Sequence, residues 1–192
     1  PPEYWKTVRE ACSKHGALLI LDEIPHSLGR TGKMFTYQHY GIVPDMLVIG
    51  KGLGGGIFPL AALITREDFD ITPDRALGHY THEKNPVACA AGLAAIEYTE
   101  SEGLVKNAET VGEYAIHRLQ TMMDTYDIIG AVRGMGLLIG VELVKTRQSM
   151  EPAIDQAERV MYMSLSKGLN FKVTMGNILT LTPPLTITKQ EM

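Results

Sequence analysis

The chain has 192 residues, of which 45% are hydrophobic and 21% charged, with a formal net charge of −4. That balance excludes a disordered chain, and the lack of a basic stripe argues against nucleic acid as a partner. The longest apolar run, Ala17 to Leu21, is far too short to cross a membrane, so no membrane partner is expected.

Glu3 to His15 reads as a helix, with Tyr4, Val8, Ala11 and Cys12 on one face and Gly16 just beyond it. Ala17 to Leu21 is continuously apolar, the pattern of a strand buried on both faces of a parallel sheet, and it ends in Asp22-Glu23. Met46 to Ile49 repeats the design and leads to Lys51. Leu60 to Thr65 is a third short strand. Asn85-Pro86 is a helix opening, since Asn caps well and Pro is pre-organised for the first turn. The Ala-rich stretch to Glu100 continues that helix, and Gly103 stops it. Val105 to Met123 is a second amphipathic helix. Ile128 to Val132 and Leu137 to Val144 read as strands flanking a turn at Arg133-Gly134-Met135-Gly136. Pro152 to Lys167 is a helix, and Phe171–Met175 with Asn177–Leu181 forms a hairpin around Gly176-Asn177. The polar end, Thr188 to Met192, looks like the opening of another helix.

The fold class is therefore α/β: residues 1–103 are expected to be part of a larger domain with a mostly parallel sheet, and 104–192 a smaller α+β domain. The chain starts without an initiator Met, and a piece of a longer protein is expected. Cys12 and Cys89 form no C-x-x-C pair and read as buried small hydrophobes of a reducing compartment, which points to the cytoplasm. His79 and His82 have no carboxylate partner pattern, so no metal site is expected.

Ligands of open α/β sheets bind beyond the carboxyl ends of the strands. Two strands here end in opposite charges, Asp22 and Lys51. Pyridoxal 5'-phosphate (PLP) chemistry needs such a pair: an amine that forms a Schiff base with the cofactor aldehyde, and a carboxylate that keeps the pyridine nitrogen protonated. Gly50, Gly52 and Gly54 to Gly56 surround the lysine, so backbone can approach a flat ring and turn sharply. Taken alone, these features also fit a surface lysine and a helix-capping Asp-Glu.

Longer segments separate the alternatives. Leu-Asp-Glu-Ile at 21–24, Gly-Arg-Thr-Gly-Lys-Met-Phe at 29–35, Val-Pro-Asp-Met at 43–46, Gly-Lys-Gly-Leu-Gly-Gly-Gly at 50–56 and Asn-Pro-Val-Ala at 85–88 resemble the class III (ornithine/4-aminobutyrate-type) aminotransferases, a fold-type I PLP family. Arg133 to Leu143 and Pro-Pro-Leu-Thr-Ile-Thr at 183–188 resemble that family's carboxy-terminal domain. The resemblance implies Lys51 as the Schiff-base lysine, Asp22 as the pyridine-nitrogen carboxylate, and Ile24 as an aliphatic contact of the ring. It implies that Thr81 reaches the phosphate of a neighbouring subunit, hence a homodimer with shared active sites, and a small-molecule amine as substrate. It also implies that the phosphate loop and the ring-stacking aromatic precede the residues seen here.

Three places depart from the family pattern. Pro25 stands where a glutamine commonly contacts the cofactor's ring oxygen. His82-Glu83-Lys84 replaces a small Phe-Gly-Gly stretch. Thr180 stands where an arginine clamps a substrate carboxylate. Transamination is the family's commonest chemistry and the first expectation. The missing arginine and Gly78 to Pro86 resemble the branch that eliminates ammonia or phosphate from aminophosphonates or phospho-amino alcohols, specifically a hydroxy-aminoethylphosphonate ammonia-lyase. An inactive paralogue or interaction module that keeps the fold is a third reading, opposed by the intact Lys51 and Asp22. His26 is expected as a solvated loop residue, with contact to the cofactor ring or substrate as the alternative. Arg133 is expected to pin its Gly-rich turn, with substrate-anion binding as the alternative.

Overall fold

The computed structural model describes residues 1–72, 74–75 and 80–192, with only the backbone of Pro2. Helix α1 (Pro2–His15) ends at Gly16, whose φ of 66° gives the left-handed cap that a side chain would strain. Strand β1 (Ile20–Asp22) pairs in parallel with β2 (Met46–Ile49), and β3 (Ala62–Thr65) joins β2 in antiparallel register. The crossover from β1 to β2 contains one 3-10 turn, Thr36–Tyr40, in place of a long helix.

Leu19, Leu21, Leu47, Ile49 and Leu53 form the buried core of this region, packed against Trp5, Val8 and Cys12 of α1. Burial on both faces was expected for the first strand. Instead Leu21 is buried while Ile20 is 55% exposed. β1 is the edge of its sheet, and α1 covers one of its faces. Cys12 is half-buried as a core neighbour, but Cys89 is exposed and does not behave as a buried hydrophobe.

Asp45 ties three elements together. Its carboxylate accepts the Leu19 N–H at 2.7 Å and Arg9 of α1 at 2.6 Å, and Arg66 after β3 approaches to 3.3 Å. The Leu19 N–H, followed by the Arg9 guanidinium, holds the Asp45 carboxyl below the usual carboxylate range. A depressed native pKa contributes stability that is complete above the unfolded value, about 3.9, and is lost as pH falls through the native value. Asp45→Asn should flatten the dependence of Tm on pH below about pH 4. Thermal melts from neutral to acid pH check this; a variant that keeps the wild-type acid slope would contradict it.

Helix α2 (Pro86–Ser101) begins as the Asn-Pro signal predicts: the Asn85 side chain accepts the N–H groups of Val87 and Ala88. Helix α3 (Leu104–Met122) leads to β4 (Ile129–Met135) and β5 (Leu138–Leu143). Pairing continues through Arg133, Gly134 and Met135, so the turn lies at Gly136-Leu137 and is shorter than expected. Helix α4 (Ile154–Ser166) precedes the hairpin β6 (Lys172–Thr174) and β7 (Ile178–Leu181). These four strands form an antiparallel sheet in the order β4-β5-β7-β6. One face is buried through Val141, Leu143 and Leu179 with Ala157 of α4. Thr188 to Met192 forms a turn, closed by Thr188 and Glu191 bonding each other's backbone N–H.

The chain divides into two compact units. The first comprises Pro1–Gly29 and Lys33–Gly103; the second comprises Leu104–Met192 together with Arg30–Gly32. The short segment joins the second unit for local reasons. Arg30 donates through its guanidinium to the Leu137 and Pro183 carbonyls, and its own carbonyl accepts the Leu137 N–H at 2.9 Å. Burial lowers the Arg30 pKa from its ordinary value. Among the described residues, no helix is long and apolar enough to cross a membrane.

Candidate functional site

Because β1 and β2 run parallel, their carboxyl ends share one edge of the sheet. Asp22 closes β1 opposite Val48, and Lys51 follows β2 by two residues. The Glu23 N–H donates to the Val48 carbonyl at 2.9 Å, which extends the pairing just past Asp22. Ile24 then lies against Gly50: a Cβ at position 50 would sit 3.4 Å from Ile24 Cγ2 and 3.5 Å from Ala61 Cβ. The structure therefore brings the loop carrying Asp22 and Ile24 alongside the backbone that delivers Lys51.

Lys51 opens a 3-10 turn, Lys51–Gly54, stabilised by Leu53 N–H donating to Gly50 O and Gly55 N–H to Gly52 O. Its φ is +46°, in the left-handed region that a lysine rarely adopts. Strain of this kind gathers where a side chain must be aimed. Helix α2 supports the turn from below. Gly92 allows this approach, since a Cβ there would meet Leu60 Cδ2 at 2.6 Å and Leu53 O at 3.2 Å.

Asp22 and Lys51 are both exposed, and among the described residues no ion pair joins them. Asp22 Oδ1 accepts the Ile24 N–H at 3.0 Å, which orients the carboxylate and leaves Oδ2 for another donor. Thr81 is exposed in the turn before Asn85, with no hydrogen bond to Asp22, Ile24 or Lys51 among the described residues. Ala76 to His79, including the first part of the Gly78–Pro86 segment, lie outside those residues.

Two residues beside Asp22 do more than the sequence showed. Glu23 is only 2% exposed, and its carboxylate accepts the Thr36 and Tyr37 N–H groups, both at 2.7 Å. It anchors the crossover against the end of β1. His26 was expected in solvent, yet it is half-buried. The Thr36 hydroxyl donates to the His26 carbonyl at 2.9 Å, so the contact between Thr36 Oγ1 and His26 Nδ1, also 2.9 Å, requires Nδ1 to carry the proton. His26 lines a cavity of about 460 Å³ together with Asp22, Trp5 and Tyr40. A buried glutamate paired with two amides 13 and 14 residues away leaves no local signal in a sequence.

In the second unit, Thr180 Oγ1 lies 2.7 Å from Thr174 Oγ1 across β6 and β7. Arg133 forms an ion pair with Glu142 at 2.7 Å across β4 and β5, while the turn it was expected to pin lies at Gly136-Leu137.

The structure thus brings a lysine and a carboxylate to one carboxyl edge, with an aliphatic residue packed against a glycine beside them. The model of the aminotransferase class III family matches residues 1–192, the whole chain. The chain belongs to the class III aminotransferases. The cofactor of this family is pyridoxal phosphate. The chain is 47% identical over 189 residues to a (R)-1-hydroxy-2-aminoethylphosphonate ammonia-lyase of Vibrio splendidus, covering 98% of this chain and 40% of that protein. It is 45% identical over 194 residues to a leucine/methionine racemase of Thermococcus litoralis, covering 100% and 43%. An amine transaminase from an uncultivated Pseudomonas species, solved in its PLP-bound form, superposes with a TM-score of 0.92 at 34% identity, covering all of this chain and 45% of that one. The chain thus spans less than half the length of these class III relatives. Racemisation is a chemistry that the sequence reading did not weigh.

Proposed function

We propose that Lys51 holds pyridoxal phosphate covalently, in a protein that transaminates a small amine. The observation that carries this reading is the shared edge: Asp22 and Lys51 at the carboxyl ends of paired parallel strands, with Ile24 packed against Gly50. The fit to the cofactor is chemical. Asp22 keeps one oxygen for a ring N–H, and Ile24 offers an apolar contact. When bound, the cofactor supplies an aldehyde for amine capture and an electron-accepting ring.

The chain's own residues have separate tasks. With the cofactor bound, the Lys51 amine would anchor it and would carry a proton to and from the carbon that bears the amine. The Asp22 carboxylate keeps the ring nitrogen protonated, with Ile24 N–H fixing its orientation. The Thr81 hydroxyl donates to the phosphate held by a second copy, in a homodimer with shared sites. The first unit is then part of the cofactor-binding domain, and the second is the smaller domain.

A second reading is elimination of ammonia from an aminophosphonate. Two observations favour it: the 47% identity to the Vibrio lyase, and the neutral hydroxyl pair at Thr180 in the place of a carboxylate-clamping arginine. The two chemistries differ in stoichiometry. Full-length, cofactor-loaded protein given one amine and no acceptor should form one carbonyl product per site and then stop. Ammonia released through many turnovers without an acceptor would overturn transamination in favour of the lyase.

A further inference from the structure

Lys51 and Leu28 both hold a left-handed backbone, with φ of +46° and +56°. A bulky side chain rarely adopts this region, and the strain persists only where the surroundings over-determine it. The two residues support each other. A Cβ at Gly52 would stand 3.8 Å from Leu28 Cδ1, and one at Gly50 would stand 3.4 Å from Ile24 Cγ2. Ile24 and Leu28 thus flank the backbone on either side of Lys51.

Ile24 and Leu28 have the i, i+4 spacing that places two side chains on one face of a helical turn. The backbone makes that turn: the Glu23 carbonyl accepts the N–H groups of His26 at 3.1 Å and Ser27 at 3.0 Å. A lone turn of helix is not stable in water. Its fixed shape therefore has a cause outside itself.

Thr36 supplies that cause at two points of the turn. At the start, its N–H donates to the Glu23 carboxylate at 2.7 Å, and the Tyr37 N–H donates to the other oxygen. Further along, its hydroxyl donates to the His26 carbonyl and accepts from His26 Nδ1–H, each at 2.9 Å. The His26 carbonyl lies in the peptide plane that leads to Ser27. Holding that plane orients the chain as it runs on to Leu28.

We propose that Thr36 is a positioning residue for Lys51. Through the 23–28 turn its hydroxyl keeps Ile24 and Leu28 beside Gly50 and Gly52, and so keeps the lysine aimed for capture of the cofactor aldehyde. That capture forms a C=N bond between Lys51 Nζ and the aldehyde carbon and releases water. The role rests on Lys51 being the cofactor lysine.

The test follows capture in full-length protein freed of cofactor. Pyridoxal phosphate is added, samples are quenched with borohydride at intervals, and the fraction of Lys51 carrying the reduced cofactor is read by mass spectrometry. Thr36→Val keeps the shape and the N–H but lacks the hydroxyl. It should capture about tenfold more slowly, as expected for losing two hydrogen bonds that hold a reactive geometry. Thr36→Ser restores the hydroxyl and should stay within about twofold of the wild type. Pyridoxine 5'-phosphate has no aldehyde and should bind all three proteins equally. A residue that only supported the cofactor pocket would weaken that binding as well. If Thr36→Val does not fold, His26→Phe decides, because it removes only the Nδ1 donor: capture about threefold slower supports the role, and capture at the wild-type rate overturns it. Wild-type capture rates in a folded Thr36→Val protein, Thr36→Ser as slow as Thr36→Val, or pyridoxine 5'-phosphate binding that falls in step with capture would each overturn it. Capture by the wild type at a lysine other than Lys51 would instead overturn the cofactor reading, and this role with it.

Discussion

Lys51→Gly should leave a protein that is more stable than the wild type in its cofactor-free state and almost without activity. The gain comes from φ. At +46° a lysine backbone carries about 1–2 kcal/mol of left-handed strain, which glycine does not. Against this stands roughly 0.5–1 kcal/mol of extra glycine chain entropy, so the net gain lies between about 0 and 1.5 kcal/mol, centred on roughly 0.75. Lys51→Ala keeps the strain and should show no such gain. Both variants should lose about 10³-fold in turnover or more, because covalent anchoring and proton transfer go together, and proton transfer alone is worth roughly 10²–10⁴-fold. Denaturant melts of the cofactor-free proteins, set beside turnover of the loaded ones, check both halves. An active Lys51→Ala enzyme would remove the lysine from its role. A glycine variant no more stable than the alanine one would remove the strain.

The largest loss of stability is expected at Gly112. Helix propensity favours Ala over Gly in a helix interior by about 1 kcal/mol. Gly112→Ala in α3 should nevertheless cost about 3 kcal/mol or more, because the new methyl would overlap the Gly136 carbonyl, and that atom is backbone. Gly136→Ala should be as severe: its φ is +54°, and a Cβ would lie 2.5 Å from the Thr31 carbonyl carbon and 2.7 Å from Arg30 O. Gly168→Ala separates strain from crowding. Its φ is +86° with open space around it, so only a conformational cost of about 1 kcal/mol applies. Urea midpoints of the three variants rank them; Gly112→Ala equal to or milder than Gly168→Ala would show that the α3 packing is looser than described.

Much of the local structure was legible because its causes are local. Asn85-Pro86 starts a helix whether or not anything packs on it, and Gly16 and Gly176 take positive φ for reasons of chain geometry alone. Lys51 and Asp22 stand out because an apolar strand that ends in a charge is a local pattern, but only the longer segments around them separate that pattern from a surface lysine and a helix cap. What could not be read depends on partners far along the chain. Ile20 matches its buried neighbours in type, and its exposure follows from pointing to the face of β1 that α1 does not cover. The burial of Glu23 needs two amides from the crossover.

Arg30 to Gly32 has a consequence for the order in which the chain can fold. These three residues belong by contact to the second unit, yet the whole stretch from Lys33 to Gly103 separates them from its main segment. A chain made from its amino terminus produces them early and must hold them until Gly136 and Leu137 appear. Closing that long loop costs entropy before any contact repays it, which places completion of the second unit among the slow steps. A clone that starts at Leu104 would lack the carbonyl that accepts the Leu137 N–H and the guanidinium bound to Pro183 O. The second unit is compact in space but is not a contiguous length of gene.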